Sequence, residues 1–173
     1  MESTGHRIDP LNTILSQKQY DEISECLAGL AEKLQITAVL LVDSGGRVLS
    51  QKMHPTCHLN ATLLSTLSAS TYAAAKEMAR IVGEAENFKM VLHEGERYNI
   101  YVANIDGDCC LVVVFERGVA LGMVRLFTMK TISRLLPVLA KKDDGGVQLN
   151  QVFDRQFRSL LNEELDRTFR EFE

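Results

Sequence analysis

The chain has 173 residues, 46% of them hydrophobic, and a net charge of −4 with acids and bases intermixed, which is ample for one domain with some chain left over. A sequence with no basic field and no polybasic run lacks the electrostatic signature of a nucleic-acid binder or of a protein drawn to anionic membranes. No stretch approaches the roughly 20 apolar residues of a membrane span and the N-terminus has no apolar core of signal-peptide length, so a cytoplasmic protein without direct membrane insertion is expected.

Residues 1–16 carry Gly5 and Pro10 and no lasting period, and read as a flexible N-terminal arm. From Gln17 to Leu34, the apolar positions Tyr20, Ile23, Leu27, Leu30, Ala31 and Leu34 recur every three or four residues, the pattern of an amphipathic helix. Ile36 to Asp43 is a continuous apolar, β-branched run, and Ser44-Gly45-Gly46 turns it into Arg47 to Gln51. This is a hairpin of one buried and one outer strand.

A second helix is expected from about Leu59 to Val82, ended by Gly83. At 100° per residue, Leu63, Leu64, Leu67, Thr71, Ala74, Met78 and Ile81 share one side, which is expected to pack on a sheet. Thr62, Ser65, Ala69, Tyr72, Ala73, Lys76 and Arg80 share the other. That side is unusually poor in charge for one that meets water, and is expected to bind another chain.

Three strands follow. NFKMVLH places Phe88, Met90 and Leu92 on one face, with Lys89, Val91 and His93 alternating between them, and RYNIYVAN does the same with Tyr98, Ile100 and Val102. CCLVVVFE shows no alternation from Cys109 to Phe115, as a strand covered on both faces does, and belongs near the middle of the sheet. Glu94-Gly95-Glu96 and Ile105-Asp106-Gly107-Asp108 supply the hairpin turns. A long helical pattern then runs from Val119 through Leu121, Val124, Leu126, Phe127, Ile132, Leu135 and Leu136 and is expected to end near Pro137. After a polar linker, 141–146, the chain becomes helical again over 147–173, with Phe153, Phe157, Leu160, Leu161, Leu165, Phe169 and Phe172 at helical spacing. Such a stripe docks on its own domain, on a second copy, or on a partner.

His54-x-x-Cys57-His58 is a cluster of metal-ligand types without the second ligand pair that a tetrahedral site requires, so a polar loop is expected and no metal. Cys26, Cys57, Cys109 and Cys110 are few and irregularly spaced, and read as free thiols rather than a disulfide framework. Neither a phosphate-cradling loop nor a nucleophile–base grouping occurs, so no cofactor is expected and no catalytic residue is identified.

The order helix, hairpin, long helix, three-strand meander, helix makes an α+β fold: one five-stranded antiparallel sheet with one helix on one face and two on the other. In Ala38-Val-Leu-Leu-Val-Asp-Ser-Gly-Gly-Arg-Val-Leu-Ser50, in the Ala-rich helix ending at Gly83, and in Gly118-x-x-x-Gly122-x-x-Arg125, the chain resembles the Roadblock / dynein light chain family and its bacterial MglB-type members over about Gln17 to Ala140. The resemblance implies a Roadblock-type α/β sandwich that forms a homodimer, with the edge strands at 86–94 joined across a two-fold and the long helices side by side. It further implies that the helical platform seats a Ras-like GTPase of MglA type, whose switch regions it reshapes without contributing a catalytic arginine. GTP and Mg would belong to that partner. A C-terminal helix in that subtype is linked to partner binding and nucleotide exchange, which the Phe153 to Phe172 stripe would supply here. Roles in cell polarity and motility, and a cell pole as one location, come with the same resemblance. The alternative is a scaffold of the same fold that binds a GTPase or another partner without changing its turnover.

Overall fold

The computed structural model describes residues 15–140. Helix α1 (Gln17–Leu34) is followed by strands β1 (Ala38–Asp43) and β2 (Val48–Met53), helix α2 (Ala61–Ile81), strands β3 (Met90–Glu94), β4 (Tyr98–Asn104) and β5 (Cys109–Glu116), and helix α3 (Leu121–Leu139). The five strands form one antiparallel sheet in the order β2-β1-β5-β4-β3. The expected Roadblock-type layering is present, with α2 alone on one face and α1 and α3 on the other.

The sheet is built around β1 and β5, which pair in the register Val39↔Val113 and Leu41↔Leu111. Every residue of β1, and every residue of β5 before Glu116, is buried. Successive side chains of a strand point to opposite faces. Val39, Leu41, Leu111, Val113 and Phe115 accordingly meet Ile23, Leu27 and Leu30 of α1 and Val124, Ile132 and Leu135 of α3. Leu40, Val42, Cys110, Val112 and Val114 meet Ala69 and Tyr72 of α2. Strand β4 was expected to be half-buried, but Tyr101 and Ala103 are covered on one face and Val102 on the other. The reason is its position, one strand in from the edge with a helical layer on either side.

Local chemistry sets the element ends. Ser16 caps α1 in a capping box with Gln19, and the same Gln19 donates through Nε2 to the Val138 carbonyl at 2.9 Å, tying the start of α1 to the last turn of α3. That helix was expected to stop near Pro137 but continues to Leu139. A proline this close to the C-terminus removes one backbone bond, and the Gln19 amide and the Ala140 N–H bond the carbonyls around it. Thr128, Thr131, Val138 and Leu139 join Val124, Ile132 and Leu135 inside, whereas Leu121, Leu126 and Leu136 are exposed.

The turn between β1 and β2 is pinned beneath α2. Asp43 accepts from the Gly45 and Arg47 amides at 3.0 and 2.8 Å and pairs with Arg47 Nε at 3.0 Å. Ser65 of α2 donates to the Gly46 carbonyl at 2.7 Å. Gly46 itself has φ +83, and a Cβ there would stand 2.9 Å from the Thr66 Cα, so both conformation and space demand glycine. Replacing Gly46 with Ala should lower stability by about 1–3 kcal/mol, read as a reduced urea midpoint with an unchanged m-value.

Burial raises several ionisation constants in the α2 layer. Desolvation, with Asp43 adding repulsion, pushes the Cys110 thiol from 9.0 up to about 12. Desolvation, with the Cys110 sulfur adding to it, pushes the Tyr72 phenol from 10.0 up to about 12. Each group is harder to ionise folded than unfolded, so its stabilising contribution is complete below the unfolded value and is lost as pH rises through the folded one. Stability should therefore fall progressively between pH 9 and 12. Urea melts across that range should show a shallower fall for Tyr72→Phe than for the parent.

Candidate interaction surface

Helix α2 approaches the sheet through small side chains. Ser65, Ser68, Ala69, Tyr72, Ala75 and Ala79 are its buried residues, spaced three and four apart so that they form one stripe along the helix. Serine and alanine let the backbone come close, and Tyr72 fills the remaining depth between α2 and Val112. The Ser65 hydroxyl also reaches the Thr62 carbonyl at 2.9 Å, so its burial leaves no unsatisfied polar group. The Tyr72 hydroxyl is buried as well, and the polar side chain facing it is that of Asn87.

Of the residues expected on the sheet side, Leu64 does pack against it, but most of the helix face expected from hydrophobicity is reversed. Leu63, Leu67, Met78 and Ile81 were assigned to the sheet, yet they are 58, 57, 53 and 77% exposed. Ser65, Ala69 and Tyr72 were assigned to a partner, yet they are 0, 7 and 7% exposed. Size decides the outcome: a helix lying over a sheet of Leu, Val and Cys side chains packs closest through its smallest residues, and large residues fit only on the far side. Thr62, Ala73, Lys76 and Arg80 do lie on the surface, with Arg80 Nε paired to Glu77 at 3.0 Å. At 100° per residue these four sit on one flank of the buried stripe, and Leu63, Leu67, Ala74, Met78 and Ile81 on the side of the helix that faces away from the sheet. Asn60 caps the helix by accepting from the Leu63 amide at 3.0 Å.

Strand β3 forms one edge of the sheet, with β4 as its neighbour on the inner side. Met90 and Leu92 pack on the α1/α3 layer and Val91 on the α2 layer, while His93 is exposed. Phe88 and Lys89 were expected within the strand but precede it. The Lys89 carbonyl accepts from the Asn104 amide at 3.0 Å, which leads the chain into the sheet. The loop His54 to His58 joins β2 to α2, and His54 Nδ1 lies 2.8 Å from the Thr56 hydroxyl. Among the described residues no three His, Cys, Asp or Glu side chains converge as metal ligands would, and no helix is long and apolar enough to cross a membrane. Cys26, Cys109 and Cys110 are buried free thiols, and Cys57 is half-buried. The stripe Phe153, Phe157, Leu160, Leu161, Leu165, Phe169 and Phe172 lies outside the described residues, as do the linker and residues 1–14 of the arm expected over 1–16.

The burial of Ala69 gives a direct check on which face of α2 is which. Ala69→Arg should destabilise the fold by about 3 kcal/mol or more, because a charge would be forced against the sheet. Ala73→Arg, on the exposed flank, should leave the thermal midpoint within a degree or two. Thermal melts of the two variants side by side distinguish the assignments.

Comparison with known proteins agrees with this architecture. Residues 22–115 match the Roadblock/LC7 domain. The structure of MglB from Myxococcus xanthus is 28% identical, with a TM-score of 0.65 over 69% of this chain and 95% of that one. The gliding protein MglB from Thermus thermophilus is 29% identical, with a TM-score of 0.68 over 73% of this chain and 94% of that one. An MglB described as having a tetrameric arrangement is 30% identical, with a TM-score of 0.69 over 73% and 93%. A protein of Aquifex aeolicus described as uncharacterised is 23% identical over 132 residues, 76% of this chain and 82% of its own length.

Proposed function

Because the chain belongs to the Roadblock/LC7 domain family, we propose that it is a homodimeric regulator of a Ras-like small GTPase of MglA type, acting on hydrolysis and, through residues 147–173, on nucleotide exchange. The observation that carries this reading is the apolar outer face of α2 formed by Leu63, Leu67, Met78 and Ile81, lying on a fold whose β3 edge is also without a neighbour on its outer side among the described residues. An exposed stripe of this kind marks a protein contact, and an open edge invites pairing with another strand. One two-fold satisfies both: β3 pairs with β3 of a second copy, and the apolar outer faces of the two α2 helices come together. The polar flank of Thr62, Ala73, Lys76 and Arg80 then remains for the GTPase.

The chain would contribute no catalytic group of its own. Its work would be to hold the partner's switch segments in the arrangement that hydrolysis requires, an effect of positioning. The likeness to MglB proteins supports the regulatory reading over that of a passive scaffold.

Two measurements test the proposal. GTP turnover by the cognate GTPase should rise about tenfold or more when this protein is added, equivalent to lowering the barrier by at least ~1.4 kcal/mol. Tight binding with unaltered turnover and exchange would instead identify an adaptor. Leu67→Asp with Met78→Asp should convert the dimer to a folded monomer in sedimentation, and a dimer that persisted would remove α2 from the interface.

A further inference from the structure

At the end of the sheet where β1 begins and β5 finishes, a cleft of about 910 Å³ opens beside the 54–59 loop. This size lies within the range of small-molecule sites. Buried Ile36 and Val114 form its floor, half-buried Met53 and the Tyr98 ring continue the apolar lining, and exposed Lys52 and Arg97 stand at its rim. The ion pairs among the described residues are Arg47–Asp43 and Arg80–Glu77, so neither Lys52 nor Arg97 is neutralised by one. Arg97 is also held in place. Its guanidinium lies 5.0 Å from the centre of the Tyr98 ring, and its carbonyl accepts from the Arg117 amide at 3.0 Å. A guanidinium stacked on an aromatic face keeps its outward N–H groups free for a planar carboxylate.

We propose that this cleft binds a small soluble monocarboxylate with an apolar body, the carboxylate meeting Arg97 and Lys52 and the body lying on Ile36, Met53 and Val114. Glu32 and Glu116 also line the cleft and set the charge limit. Two acids beside two bases leave little excess of positive field, so a polyanion such as a nucleoside triphosphate finds no net attraction while a single negative charge reaching Arg97 is accepted. The apolar floor accounts for the rest of the ligand, since burying apolar surface supplies affinity that a lone exposed ion contact does not. The cleft shares no lining residue with the Leu63, Leu67, Met78 and Ile81 face, and the proposal stands whether or not the GTPase reading does. With a chain charge of −4 there is no general attraction to an anionic bilayer, which favours a free ligand over a membrane lipid.

The full-length protein should be titrated with decanoate and followed by amide NMR, with acetate and decanol as probes lacking the body and the head respectively. Decanoate is expected to bind saturably, with shifts concentrated at Thr37, Met53 and Arg97, and to bind more tightly than either control. Arg97→Gln and Lys52→Gln, both at exposed positions, should each weaken decanoate about tenfold, the size of one lost charge-assisted bond. Glu116→Gln should tighten it, a gain that no loss of fold could imitate. Equal affinity for acetate and decanoate, shifts gathered instead on Leu63 to Ile81, or unchanged affinity in both basic-residue variants would overturn the assignment. So would Arg97-dependent sedimentation with phosphatidylserine vesicles, which would make the ligand a membrane lipid.

Discussion

The close approach of α2 to the sheet is the constraint on which the rest of this architecture turns. It is achieved at two places at once. Along the helix, Ser65, Ser68, Ala69, Ala75 and Ala79 present little more than backbone to the sheet. Beneath its first turns, the Gly46 segment passes so near Thr66 that even a methyl group would collide. The Ser65 hydroxyl then closes the gap with a hydrogen bond to the Gly46 carbonyl. With these contacts made, the rotation of α2 about its own axis is settled, and with it the identity of every side chain that faces outward.

That rotation explains why the order of elements was legible in the sequence and the orientation of one helix was not. Strand β5 announced itself through an unbroken apolar run, and its central place in the sheet follows from cover on both faces. The glycines and aspartates at 44–46 and 105–108 marked the turns because few other residues take those conformations: Gly46 and Gly107 have φ of +83 and +94. Helix α2 was misread because a hydrophobicity plot weights Leu63, Leu67, Met78 and Ile81 most heavily, and the assumption that the larger apolar side faces the sheet fails where the helix lies this close to it. In a helix laid so close on a sheet, the small residues mark the sheet side. The signal that could have been used was the run of Ser and Ala at three- and four-residue spacing from Ser65 to Ala79. The same holds in part for α3, where Thr128 and Thr131 are inside while Leu126 is out.

The cleft at the far end of the sheet was illegible for a different reason. His54, Cys57 and His58 drew notice as adjacent chemical groups, but the lining comes from α1, β2, the following loop, β4 and β5. Nothing in a linear reading brings Arg97 within reach of Lys52. Topology does so, by ending β2 and β5 and starting β1 and β4 at one edge of the molecule.

The pairing of β1 with β5 also governs how the molecule can be made. Val39 cannot meet Val113 until β2, α2, β3 and β4 have all been synthesised, and the chain entropy lost in closing so long a loop must be met before the central contact forms. A ribosome releasing this protein therefore exposes a fully apolar strand, Ala38 to Val42, for the time it takes to complete most of the domain. The β1–β2 hairpin with α1 laid against it is the shelter available during that interval. Substitutions that loosen α1 or the Asp43 turn thus endanger the nascent chain, through aggregation, more than they endanger the finished fold.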